Sequence, residues 1–498
     1  MSGPDRCRFL NEDRSISGAG AWNAPGVKRL WLYNLHYFDD LNALDAVARQ
    51  EWHAALIRRW IAENPPTQGN GWEPYPTSLR IVNWIKWALS GGVLPDEAVY
   101  SLAVQARHLE RTIETHLLGN HLFANAKALV FVGLFFEGRE ADRWLSQGIA
   151  ILRREVPEQI LPDGGHFERS PMYHSLVLED LLDLVNACRA YGGRPGAPAC
   201  LPIGEWETAA GRMRFWLAAM CHPDGEIVLF NDSAFGIAPS PVELDSYADR
   251  LGFEAAPVRA GAVTQLPDSG YLRARAGESV VFLDAAPLGP DYLLGHGHAD
   301  TLTFEWSLLG DRVIVDSGTS RYDECAERLS QRGTAAHNTV VVDGVDSSEV
   351  WGSFRVAHRA RPFGLSVTET DELADVTCSH DGYRRLPGKV VHRRTWKIWD
   401  RRLKIEDALE GRFRSAQARF LLHPAVAAAS NAGSSLRDGM SSGEWVLPSG
   451  KRVRWRIESG EGRFEPAQYH PGFGLAQDTV RLVVDFPGNR NVVEMTWD

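Results

Sequence analysis

The stretch GHGHADTLTFEWSLLGDRVIVDSG, residues 295–318, sets two imidazoles and a carboxylate, His296, His298 and Asp300, at alternate positions. Side chains two apart on a strand share a face, so a strand here presents all three together. Such a face suits a metal site, a catalytic base, or both. The returning run VIVDSG brings Asp316 onto the next strand, and GTAAHNTVVVDG adds His337 at the mouth of another. His298, Asp316 and His337 supply two imidazoles and one carboxylate, a donor set suited to zinc with one position left open or to solvent. The alternative is a hydrogen-bonded polar network between sheet and toroid. His296 is then left over. Beside a fixed cation its pKa would fall, which fits a proton acceptor or donor.

Two stretches of the first half carry further chemistry. GNHLFANAKAL puts Asn120 and His121 at a helix start. Asn120 there is either an N-cap or an amide that binds a substrate carboxylate, where free N–H groups and the helix dipole favour negative charge. DGGHFERSPMYHSLVLEDLL reads as Ser170 capping a helix whose first turn holds Pro171 and Tyr173. His166, Glu168 and His174 crowd the same loop. A tyrosine here is either a core residue with a bonded tip or a proton-transfer group near the helix dipole. WLYNLHYFD and GWEPYPTSLRIVNW are aromatic stretches that carry His36, Glu73 and Arg80. Aromatic faces suit sugar stacking, but most of these rings are expected in the core.

The elements that must position these residues change character along the chain. Up to about residue 255, seven segments repeat apolar residues at three-to-four spacing and end near Gly, Pro or Asn. The segment from Asp39 to Asn64 reads as one helix, and so does that from Asp96 to Leu118. Successive helices without strands predict hairpins arranged in an incomplete toroid. From about residue 262, runs such as SVVFLDAAPL, HNTVVVDGV and TVRLVVDF are β-branched or aromatic and broken by Gly, Asp and Asn. They predict an antiparallel β-sandwich. The fold class is therefore α+β multidomain, with an (α/α) toroid over 1–258 and a β-sandwich over 259–498.

Composition sets outer bounds. The chain has 498 residues, a net charge of −11, 44% hydrophobic and 23% charged residues, which is ordinary for a globular protein of two or three domains. The net charge disfavours nucleic acid as a partner, although arginines gather in RYDECAERLSQR, FRVAHRARPF and HRRTWKIWDRR. The six cysteines are scattered without CxxC spacing, so neither a disulfide framework nor a cysteine zinc site is expected. No apolar run is long enough to span a bilayer. The N-terminus lacks the apolar region of a signal peptide. The expected location is cytoplasmic, or periplasmic or secreted if a leader preceded this sequence.

YNLHYFD, GNHLFANAKALVFVGLFF, DGGHFERSPMYH, GHGHADTLTFEWSLLGDRVIVDSG and RGTAAHNTVVVDG together resemble the heparinase II/III family of polysaccharide lyases. The resemblance runs in order from about residue 30 to 400. The version with YNLHYFD is similar to a branch associated with bacterial surface-polysaccharide gene sets. It implies the toroid and sandwich, and β-elimination at a uronic acid. By this resemblance Asn120 neutralises the uronate carboxylate, Tyr173 acts on the scissile oxygen, and His296 is the histidine of the β domain. His298, Asp316 and His337 match structural metal ligands, usually zinc, and no organic cofactor is expected. His121 is a secondary candidate, and Glu168, His174, Arg80 and Glu73 are possible catalytic or substrate-binding groups. The expected partner is an acidic polysaccharide or oligosaccharide.

The C5 proton of a uronate is too weakly acidic for a bare base, so the charge developing on its carboxylate must be stabilised. A base then takes the proton and an acid protonates the leaving oxygen. The assignment made here is Asn120 as clamp, His296 as base and Tyr173 as acid; the substrate epimer decides between the last two. A competing reading is a glycoside hydrolase using Glu73 or Asp163 with Glu168. A third is a polysaccharide-binding or biosynthetic accessory protein without turnover.

Overall fold

The computed structural model describes residues 1–193, 201–254, 262–370, 372–430 and 439–498. The chain is an α+β multidomain protein, helical in its N-terminal part and antiparallel β in its C-terminal part. It forms two compact units, Met1–Gln159 with Val177–Ala210, and Ile160–Leu176 with Gly211–Asp498.

The chain opens on a hairpin absent from the sequence reading, β1 (Arg6–Phe9) against β2 (Glu12–Ser15). Its strands are short and charged, and its turn uses positive φ at Leu10 and Asn11, which no Gly announces. Nine helices follow among the described residues before the main sheets: α1 (Arg29–Tyr37), α2 (Gln50–Glu63), α3 (Pro74–Leu89), α4 (Asp96–Arg111), α5 (Gly119–Phe135), α6 (Arg139–Gln159), α7 (Pro171–Tyr191), α8 (Ile203–Ala219) and α9 (Pro241–Arg250). The helix expected from Asp39 is shorter than its pattern. Residues 39–49 form two 3-10 turns separated by Asp45 at φ 57°, and α2 begins only at Gln50. The helix expected to reach Leu118 stops at Arg111, and the chain reaches α5 through Leu118 at φ 59°.

Helix α5 is apolar almost all round, the mark of a helix packed on every side; fourteen of its residues are buried. It crosses α6 closely because glycine stands at the contact. A Cβ at Gly148 would lie 2.7 Å from the Ala126 carbonyl oxygen, and one at Gly133 2.6 Å from the Leu145 nitrogen. Tryptophan fills cores throughout. Of 17 in the chain, only Trp351 is exposed and only Trp52 and Trp399 are half-buried, so the aromatic richness serves packing.

The second unit holds three large antiparallel sheets among its described residues, besides a two-stranded pair of 350–351 with 355–356. The first is a five-strand meander, β3 (Val263–Leu266), β4 (Tyr271–Ala276), β5 (Ser279–Asp284), β6 (Phe304–Leu308) and β7 (Asp311–Ile314). The second has seven strands, ordered 362–369, 374–380, 391–399, 402–410, 490–497, 452–459, 442–446. The third has four, ordered 461–469, 477–485, 416–421, 340–342. Residues of all three, among them Trp306, Trp396, Phe420 and Leu482, join one buried cluster. Along 402–410 every second residue is buried, so one face of that strand is turned inward.

Residues 295–300 are not a strand. They form a turn and bend between β5 and β6, and Asp316 lies two residues beyond the end of β7. Gly295 and Gly297 interrupt the β-branched pattern there, so the period-two spacing of His296, His298 and Asp300 has no ladder to follow.

Candidate functional site

In the helical unit, Asn120 lies in the first turn of α5 and is not its cap: the cap position is Leu118, with no side-chain bond. His121 stacks on Tyr75 at 4.4 Å between ring centres, and its Nδ1 lies 3.1 Å from Glu114 Oε1. Burial, together with the charges of Asp180, Asp39 and Glu114, pushes the Tyr75 phenol far up, so it stays protonated. Glu73 precedes α3 and pairs with Arg29 and the Tyr33 hydroxyl. Arg80 is fully buried: it donates to Gln105 Oε1 at 2.9 Å and to the His36 carbonyl, and lies 3.8 Å over the Trp60 ring. Of the two residues at this helix start it is His121 that meets Tyr75, while Arg80 is spent on packing.

The second unit gathers the other group. Ser170 caps α7 as expected, its Oγ accepting from the Tyr173 nitrogen at 3.1 Å. The same hydroxyl donates to the Asp232 carbonyl at 2.6 Å, tying the helix start to the 231–233 turn. Tyr173 in that first turn faces His296, with ring centres 3.9 Å apart. Its hydroxyl is 3.2 Å from that of Tyr322. His296 Nδ1 lies 2.9 Å from Asp232 Oδ2, and its Nε2 lies 3.4 Å from Glu168 Oε2. His174, by contrast, is fully buried, stacked on Trp216 at 4.3 Å and bonded to the Met213 carbonyl. Burial lowers it to about 3, so it is a neutral packing residue. Asp163 is likewise committed. It accepts from the Asp268, Ser269 and Gly165 nitrogens and from the Ser269 hydroxyl, and organises loops.

Sequence reasoning missed the residue at the centre of this group. Asp232 is fully buried. Its carboxylate accepts from His296 Nδ1, from His298 Nε2 at 2.9 Å, and from both terminal nitrogens of Arg328, one at 2.7 Å. Burial opposes its ionisation, yet Arg328 and the two histidines hold the carboxyl well below the usual range. Arg328 comes from α10 (Ala326–Arg332) and lies 4.9 Å from the Tyr322 ring centre. The available signal was local: Asn231, Asp232 and Ser233 are three polar residues between the apolar runs IVLF and AF. Arg328 lies within the arginine-rich stretch RYDECAERLSQR.

His298, Asp316 and His337 also meet. His337 Nδ1 is 2.7 Å from Asp316 Oδ2, and the His298 and His337 rings are 5.3 Å apart. His298 Nδ1, His337 Nε2 and Asp300 Oδ2 are buried without a hydrogen-bond partner. Burial lowers His298 to about 4 and raises Asp300 to about 7. Among the described residues, no three or more His, Cys, Asp or Glu side chains stand grouped as a metal site.

With this geometry, the comparisons with known proteins define the class. The profile of the heparinase II/III N-terminus matches residues 42–241, and that of the heparinase II/III-like C-terminal region matches 259–498. The chain belongs to the heparinase II/III family. It is similar to a heparin-sulfate lyase of Bacteroides stercoris, 27% identical over 249 residues, covering 45% of this chain and 36% of that protein. The chain thus matches little more than a third of that relative's length. It is also similar to FtsZ-localized protein C of Caulobacter vibrioides, 26% identical over 502 residues, covering 93% of this chain and 80% of that one. A crystal structure of heparinase III shares the fold at a TM-score of 0.75 and 18% identity, covering 98% of this chain and 79% of that chain.

Proposed function

We propose that this protein is a polysaccharide lyase that cleaves a uronic-acid glycan by β-elimination and leaves an unsaturated uronate end. One observation carries the reading: the rings of Tyr173 and His296, two groups able to transfer protons, lie with their centres 3.9 Å apart. Asn120, matching the family motif, is the carboxylate clamp; by stabilising the charge that develops there it makes the C5 proton removable. His296 takes that proton and Tyr173 protonates the leaving oxygen. Glu168, beside His296 Nε2, bears on how readily that nitrogen holds a proton. The helical part, 1–258, is read as an incomplete (α/α) toroid and the rest, 259–498, as a β-sandwich.

His298, Asp316 and His337 fit a divalent cation, zinc by donor type. Two buried ring nitrogens, His298 Nδ1 and His337 Nε2, lack partners, and Asp316 lies against the other nitrogen of His337. Such an ion would crosslink the loops after β5 and β7 as a structural tie. Stoichiometric metal in gently purified protein is the expected result, and its absence would remove the metal from this account.

The substrate class we favour is a bacterial exopolysaccharide, capsule or O-antigen glycan with uronate and little sulfate, because a net charge of −11 disfavours a densely sulfated chain. The test is ultraviolet absorbance during incubation with a panel of uronic-acid polysaccharides. A rise from the conjugated product is expected on at least one. Reducing ends without absorbance would point to hydrolysis instead. The second reading, an accessory protein without turnover, draws on the similarity of almost the whole chain to FtsZ-localized protein C; it gains if no polymer is cut.

A further inference from the structure

We infer that Asp232 is the positioning residue for His296, and that it sets the ring tautomers of His296 and His298 at once. This rests on the lyase reading of the site. An ionised carboxylate only accepts hydrogen bonds. His296 therefore presents Nδ1–H to Asp232 Oδ2 at 2.9 Å, and His298 presents Nε2–H to Oδ1 at 2.9 Å. The opposite nitrogens follow from this. His296 keeps its proton-transfer lone pair on Nε2, the side of Glu168. His298 keeps its lone pair on Nδ1, the buried atom without a partner.

One carboxylate thus aims two imidazoles in different directions. It can do so because it is itself immobile. Arg328 grips both oxygens, Thr319 Oγ1 lies 3.4 Å from Oδ1, and the Asp232 backbone carbonyl is bonded by Ser170 at the start of the helix that carries Tyr173. The Asp232 nitrogen also donates to the His296 carbonyl at 3.1 Å. Tyr173 and His296 are therefore referenced to one residue through two separate hydrogen bonds. Small displacements of a proton-transfer group cost rate steeply, so this anchoring belongs to catalysis as well as to folding.

The first measurement needs no variant and no substrate. Long-range proton–nitrogen correlation on histidine-labelled protein, at a pH well above the ordinary histidine range, reads the neutral tautomers directly, with His296→Gln assigning the signal. His296 is expected with its proton on Nδ1; a neutral His296 protonated on Nε2 would overturn the inference. The second measurement is Asp232→Asn with metal content and circular dichroism checked alongside. The amide offers one acceptor oxygen to donors on both sides, so His296 loses its fixed tautomer. The expected result is a kcat lower by on the order of 10³-fold with KM within about threefold. Where metal content stays at the wild-type level, the double variant Asp232→Asn/His296→Ala should be no slower than His296→Ala, because the part of Asp232's effect that acts through His296 adds nothing once His296 is gone. Independent, multiplying losses would refute the positioning role. If wild-type protein cuts no polymer, the lyase reading fails by itself and the tautomer result still decides what Asp232 does.

Discussion

Tyr173 and His296 differ in what holds them. The tyrosine is fixed by its place in the first turn of a capped helix, the histidine by the bond between its Nδ1 and Asp232. Proton transfer by such groups contributes roughly 10²–10⁴-fold. Tyr173→Phe and His296→Ala should each therefore lower the rate of unsaturated-product formation by at least about 100-fold, with unchanged circular dichroism. Retention of activity in both would remove these residues from the mechanism. His174, only one residue from Tyr173, should not behave this way. Its ring nitrogens are already engaged with the Met213 carbonyl and the His166 nitrogen.

At the scale of elements, the glycines of α5 and α6 decide how closely two helices approach. Gly148→Ala sets a methyl 2.7 Å from a backbone oxygen that cannot move aside. Overpacking of this kind costs about 1–3 kcal/mol, more than the gain of up to about 1 kcal/mol that alanine brings to a helix interior. The variant should be destabilised. Gly211 in α8 is exposed and has open space where a Cβ would go, so Gly211→Ala should stabilise by about 0.5–1 kcal/mol. Denaturant midpoints of the two variants should move in opposite directions. The same sequence change thus has two signs, and only helix packing tells them apart.

For the whole molecule, pH acts through histidines that are neutral by construction. His36 accepts from the Trp60 indole at Nδ1 and bonds the Trp22 carbonyl at Nε2. Burial, with Arg80 nearby, lowers it from 6.5 to about 3, and burial does the same to His174. A folded pKa below the unfolded one contributes stability that is present above the unfolded value and lost as pH falls through the folded one. Melting temperature should therefore decline as pH drops from about 6.5 toward 3. A His36→Gln variant should decline less steeply over the same window, and an equal slope would show that His36 carries none of it.

Much of this was written in local sequence. Periodicity of 3.6 marked seven of the helices, and the change to β-branched runs near residue 262 marked the sheets, because the pattern of apolar side chains is what each element buries. Ser170–Pro171 named its own helix start, since capping is a matter of adjacent residues. What depended on distant residues was not visible. Residues 295–300 carry a strand's spacing without a strand, because two glycines break the ladder and tertiary hydrogen bonds replace it. Asn120 has the ideal type for a cap, yet α5 begins at Gly119, one residue before it, and Leu118 takes the cap position. Asp232 was silent because its importance is that His296 lies 64 residues away and Arg328 96 residues away. A buried carboxylate is defined by the charges that fold around it, and only the tertiary structure decides which those are.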